Sequence, residues 1–209
     1  MKTDATVFVV DDDQAVRESL SRLMESVGHK VATYAGAQEF LDSYDPSRPG
    51  CVVLDIRMPG MSGLDLQEKL ARDGVRIPVI IISGHGDVEK AVRAMKAGAV
   101  DFLRKPYKAK VLLERIRQAL ELDAKIRRQE AERAKAAALI AQLTPREREV
   151  MGLLATGAPT KQIAYRLGLS RKTVDVHRAH IMMKLQIDSV VDIARLVEIY
   201  DGRLVSRSL

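Results

Sequence analysis

The chain has 209 residues, of which 46% are hydrophobic and 30% charged, and its formal net charge is +6. That length holds one large or two modest domains with buried cores, and the apolar stretches, such as 7–10 and 79–82, are too short to span a membrane. Cys51 is the one cysteine, which excludes an internal disulfide and any Cys/His zinc spacing.

The opening MKTDATVFVV, followed by three aspartates, lacks the apolar core and small-residue cleavage site of a secretory signal. A cytoplasmic protein is the expectation. Charge is unevenly placed: residues 1–122 carry 18 Lys and Arg against 18 Asp and Glu, and residues 123–209 carry 16 against 10.

From residue 6 to 120 the chain alternates. The runs TVFVV, KVATY, CVVLD, PVIII and VDFLR are rich in β-branched and aromatic residues and read as five strands. Helical patterns lie between them around 14–27, 36–44, 64–72 and 87–97, with a fifth from about 108 onward. Such alternation predicts a five-stranded parallel sheet covered on both faces. Gly28, Gly74 and Gly98 close three of the helices. Cys51, inside CVVLD, reads as a packed strand residue.

Between Lys108 and Thr144 there is no glycine or proline. Leu112, Leu113, Ile116, Ala119 and Leu120 give this helix a face for the sheet, but the apolar period fades beyond Asp123. Glu121 with Lys125 and Asp123 with Arg127 put acid four residues before base, the favourable helical order. Unbroken, the rod would be roughly 50 Å long; its composition favours a helix over a flexible tether.

Thr144-Pro145-Arg146-Glu147 combines an N-cap, proline at the first helical position and a capping-box glutamate. Three more helices follow, near 160–167, 171–185 and 189–200, with Thr160, Ser170 and Ser189 as expected N-caps. The division is therefore 1–122, a helical linker 123–142, and a small helical domain 143–209.

Several strands end in a charge or a hydroxyl. Asp11, Asp12 and Asp13 follow the first, Asp55 and Ser83 end the third and fourth, and Lys105 follows the fifth. One aspartate in such a place is an ordinary helix cap, and Asp13 fits that role. Parallel sheets, however, gather functional groups at their carboxyl edge. A carboxylate such as Asp55 can attack phosphorus to give an acyl phosphate. Asp11 and Asp12, with the carbonyl of Arg57, suit a hard cation such as Mg2+. Lys105 and Ser83 suit the phosphoryl oxygens.

VVDDD, VVLDIRMPGMSG, IIISGHGD and FLRKPY closely resemble the receiver domain of bacterial response regulators, over residues 5–122. The resemblance implies a flavodoxin-like fold with Asp55 as phosphoacceptor and Mg2+ held by Asp11, Asp12, Asp55 and Arg57. It further implies phosphate sensing by Ser83 and Lys105, with Phe102 as the aromatic switch residue, and a cis bond before Pro106. The alternative for Phe102 is ordinary core filling.

Six basic residues, Lys161, Arg166, Arg171, Lys172, Arg178 and Lys184, face Asp175 alone within 160–184. A solvated charged face is the bland reading of such a run; its concentration on one helical pair points to phosphate backbones. In 171–185, Val174, His177, Ile181 and Leu185 form one stripe for the core. Lys172, Val176, Ala179 and Met183 lie opposite, with Asp175 and His180 on the shoulders. LTPREREV and KQIAYRLGLSRKTVDVHR resemble the LuxR-type helix-turn-helix domain, over 143–209. The expected DNA contacts are Lys161, Arg171, Lys172, Thr173, Asp175, Val176, Ala179, His180 and Lys184. The last helix carries more apolar residues than one core face needs, which reads as a dimer contact.

Together the two resemblances imply a phosphorylation-dependent transcriptional regulator of the LuxR/FixJ type, not an enzyme. Its implied partners are a sensor histidine kinase, promoter DNA, RNA polymerase and a second copy of itself. Its rivals are a DNA-binding protein with a vestigial receiver and an enzyme with an aspartyl-phosphate intermediate.

Overall fold

A computed structural model describes residues 4–84 and 88–202. The His85–Asp87 part of IIISGHGD, with the expected helix start at 87, lies outside the described residues. The five apolar runs form β1 (Thr6–Val10), β2 (Lys30–Tyr34), β3 (Gly50–Asp55), β4 (Val79–Ser83) and β5 (Asp101–Arg104). All pairings are parallel, in the order β2-β1-β3-β4-β5.

Strands β1, β3 and β4 are buried along their length, which explains why they read as unbroken apolar runs. Phe8, Val10, Val52, Leu54 and Ile81 join the core beneath α2 (Ala37–Ser43), α3 (Gly63–Arg72) and α4 (Val88–Lys96). The alternate residues Val7, Val9, Val53, Ile80 and Ile82 join the core beneath α1 (Gln14–Ser26) and the start of α5 (Ala109–Ala141). Each such side chain, fully buried, stabilises by about 1.5–3 kcal/mol. Cys51 is among them, and burial pushes its thiol well above the usual range.

The chain divides into two compact units, Met1–Arg127 and Arg128–Leu209. In the second, Ile140 and Leu143 pack with α6 (Pro145–Ala155), α7 (Thr160–Leu167), α8 (Arg171–Leu185) and α9 (Val190–Tyr200) around Val150, Leu154, Ile163, Val174, Ile181 and Ile193. Thr144 caps α6 in a full capping box with Glu147, and Ser170 and Ser189 cap α8 and α9. Thr160 does not cap α7. The N-cap is Pro159, with no side-chain hydrogen bond, and Thr160 already lies inside the helix.

Candidate functional site

Five parallel strands bring their carboxyl ends to one edge, and the chain reverses direction across the sheet between β1 and β3, the usual place for a ligand. There Lys105, just after β5, puts its ammonium 3.0 Å from Oδ2 of Asp11 and 2.8 Å from Oδ1 of Asp55. Asp11 and Asp55 are both buried. The Lys105–Pro106 bond is cis, as the resemblance implied.

Backbone groups finish the orientation. The Arg57 N–H donates to Oδ2 of Asp55 over 2.6 Å, and the Asp13 N–H donates to Oδ1 of Asp11 over 2.9 Å. Asp13 caps α1, accepting from the N–H groups of Ala15 and Val16, which is the role read from the sequence. The loop after β3 folds back so closely that a β-carbon at Gly63 would collide with the Asp55 carbonyl. Arg17, unnoticed in the sequence, donates to the carbonyls of Asp11 and Asp12 over 2.8 and 2.9 Å. Its signal was there: a first-turn arginine after an acidic triplet.

Burial raises the Asp11 carboxyl above its usual range, outweighing the ammonium beside it. Burial opposes the charge on Lys105, yet its hydrogen bonds to Asp55 and Asp11 prevail and raise it. A desolvated carboxylate of this kind is stabilised by further positive charge. Among the described residues, no group of three or more His, Cys, Asp and Glu side chains is assembled to hold a metal ion. Asp12 and Arg57 are exposed and border a cleft of about 460 Å³ with Met58, Pro59 and Ser62. The available donors, carboxylates with one main-chain carbonyl, are all hard oxygens and fit Mg2+.

Ser83 is buried at the end of β4, and the Lys105 N–H donates to its carbonyl over 2.7 Å. Phe102 is half-buried on β5, opposite Ile81, and packs against the core beneath α3 and α4.

In the second unit α7 and α8 meet at Gly168, whose φ of 64° makes the tight turn, and Ala164 is buried in α7. Val174, Ile181 and Leu185 are buried, and His177 is half-buried with Nδ1 lacking a hydrogen-bond partner among the described residues. Lys161, Arg171, Lys172, Asp175, Val176, Ala179 and His180 are exposed. Tyr165, at 89% exposure, joins them without having been singled out in the sequence.

Two expected contacts sit differently. Thr173 is half-buried, with its Oγ1 2.8 Å from Oγ of Ser170. Lys184 is half-buried and donates to Oε2 of Glu147 over 2.7 Å, which ties its ammonium to a buried carboxylate of the same domain. Glu147 is 3% exposed, and Lys184, followed by the Thr144 N–H, holds its carboxyl down to about 2. In α9 only Ile193 is fully buried, while Val191 and Tyr200 are exposed.

Residues 7–117 match the family described as "Response regulator receiver domain", and residues 141–197 match "Bacterial regulatory proteins, luxR family". Nodulation protein W of Bradyrhizobium diazoefficiens is 47% identical over 94% of this chain and 86% of its own length. Transcriptional regulatory protein FixJ of Azorhizobium caulinodans is 44% identical over 94% of this chain and 93% of its own. Among solved structures, response regulator StyR is 46% identical with a TM-score of 0.82, covering 94% of this chain and 99% of that one. Full-length FixJ from B. japonicum is 40% identical with a TM-score of 0.58, covering 96% and 98%.

Proposed function

The chain belongs to the two-component response regulators that carry a LuxR-type DNA-binding domain, and we propose that Asp55 is its phosphoacceptor and α8 its recognition helix. It is a transcriptional regulator, and its family implies a sensor kinase upstream and DNA downstream. The observation that carries the residue assignment is the single ammonium of Lys105 bridging buried Asp11 and Asp55.

In this reading a carboxylate oxygen of Asp55 bonds to phosphorus as the P–N bond of the kinase's phosphohistidine breaks, and the imidazole leaves with that electron pair. Lys105 then turns from pairing carboxylates to pairing a phosphoryl oxygen, and the Ser83 hydroxyl donates to another. Asp11, Asp12, Asp55 and the Arg57 carbonyl would hold Mg2+, which when bound offsets the crowding of anions. The protein processes its own acyl phosphate and no other substrate. Residues 1–122 act as receiver, 123–142 as joining helix and 143–209 as DNA-binding domain.

Movement of Ser83 toward phosphate frees space for the Phe102 ring and changes the receiver surface on which two copies pair. Paired copies then read promoter half-sites about one helical turn apart and engage RNA polymerase. Lys161 and Arg171 meet phosphates, whereas Lys172, Val176 and Ala179, flanked by Asp175 and His180, face base edges. Among the described residues no helix is long and apolar enough to cross a membrane, and work on promoter DNA belongs in the cytoplasm. Promoter binding measured with and without Mg2+ and a small phosphodonor tests the reading. A phosphorylation-linked gain supports it, and its absence favours a vestigial receiver.

A further inference from the structure

The receiver grips α5 at the sheet edge opposite Asp55. Asp123, 3% exposed, accepts from the Gly50 N–H at the start of β3 over 2.9 Å. Arg127 Nε lies 3.0 and 2.9 Å from the two oxygens of the same carboxylate. The rest of that guanidinium reaches into the loop before β3, where Nη1 donates to the Ser47 carbonyl over 3.0 Å and Nη2 to the Arg48 carbonyl over 2.6 Å. One arginine thus ties a buried helical carboxylate to two loop carbonyls. On the other flank of α5, Leu122 and Ile126 border a cleft of about 400 Å³ with Val75, Ile77, Pro78 and Val100.

An acid–base pair four residues apart on an exposed helix contributes little. Here the carboxylate is buried and shared with a strand's backbone, so loss of its cation leaves an uncompensated charge. A close approach maintains the geometry: a β-carbon at Gly50 would collide with the Thr6 carbonyl. The compact first unit ends at Arg127, and further along the same helix Ala136 and Ile140 are buried. Without the pair, the apolar face that fades after Leu120 would leave the following turns free to fray.

We propose that Asp123 and Arg127 are positioning residues for output: they fix the register at which α5 leaves the receiver, and phosphorylation reaches the DNA-binding unit through that fixed helix. The proposal rests on the phosphorylation-dependent reading above. Transmission of this kind requires an element whose position differs between the two receiver states, and a frayed helix base would absorb the difference.

The test uses the full chain with Mg2+ and acetyl phosphate, comparing wild type with Arg127→Met and Asp123→Asn. In both variants, amide exchange at Gly50 and across 122–130 should speed up by roughly tenfold or more. Labelling of Asp55 should stay within about twofold, and the ratio of DNA affinities with and without phosphorylation should fall by about fivefold or more. Arg127→Lys, which keeps the charge but loses the fork, should fall between. Wild-type exchange in the variants, or a wild-type affinity ratio, overturns the proposal. A wild-type chain whose DNA affinity ignores phosphorylation sinks the underlying reading and the output role with it, whereas faster exchange in the variants would still identify the pair as the clamp.

Discussion

Lys184 near the end of α8 and Glu147 in the first turn of α6 lie 2.7 Å apart, joined across 37 positions of sequence. The glutamate already closes the capping box of α6 through Thr144, so one carboxylate both starts a helix and anchors the proposed recognition helix. Lys184→Met should therefore weaken DNA binding by misplacing α8 while leaving the salt slope unchanged. Lys161→Ala, by contrast, should weaken all sequences alike and lower the slope by roughly one counterion. Binding titrations across a salt series separate the two roles.

The same pair sets a pH dependence. Glu147 has a folded pKa of about 2, below the unperturbed glutamate value near ~4.3. Its stabilisation is therefore full above the unfolded value and is lost as pH falls through the folded one. Unfolding of the second unit, followed in the full chain by amide exchange in α6, should steepen between those limits in wild type. In Glu147→Gln that dependence should flatten, with a loss of about 1–3 kcal/mol at neutral pH. A wild-type slope in the variant would mean another carboxylate dominates.

Val176 is exposed on α8, clear of the buried Val174 and Ile181. Replacing it should alter which sequence is preferred, at about 1–3 kcal/mol for the affected base pair. Footprinting on selected sites reads this directly. Unchanged preference would mean that α8 presents another face.

How much of this was legible in the sequence follows from the range of each signal. Asp11, Asp55 and Lys105 stood at or just beyond the ends of strands, and a parallel sheet collects strand ends by construction, so their meeting at one edge was readable. Phe102 and Ser83 could be placed on strands for the same reason. The pairing of Lys184 with Glu147 was not legible, because a lysine on a helix looks the same whether it faces solvent or a carboxylate brought in from another helix. Asp123 and Arg127 looked like an ordinary pair on a solvated rod, since nothing local reveals that Gly50 and Ser47 lie against that turn. Thr160 failed as a cap because Pro159 holds the cap position.

Phosphorylation should raise the dimer population through the receiver surface near Phe102. The ring is half-buried against the core beneath α3 and α4, so space vacated by Ser83 changes what it can fill. A ligand shifts such an equilibrium only by its differential affinity for the two states. Sedimentation with and without a phosphate analogue should give different monomer–dimer constants. Identical constants would remove Phe102 from the switch.

The account stands most directly on the carboxylate that Lys105 holds. Labelling with a small phosphodonor in Mg2+, followed by mapping of the modified residue, should place the phosphoryl group on Asp55. Asp55→Asn should fold normally, because amide and carboxylate are nearly isosteric, yet take no label, because the amide is not a competent nucleophile. Asp12→Ala should be labelled more slowly, with weaker Mg2+ binding, having lost one hard oxygen donor. Labelling of Asp55→Asn at the wild-type rate would contradict the assignment of Asp55 as phosphoacceptor.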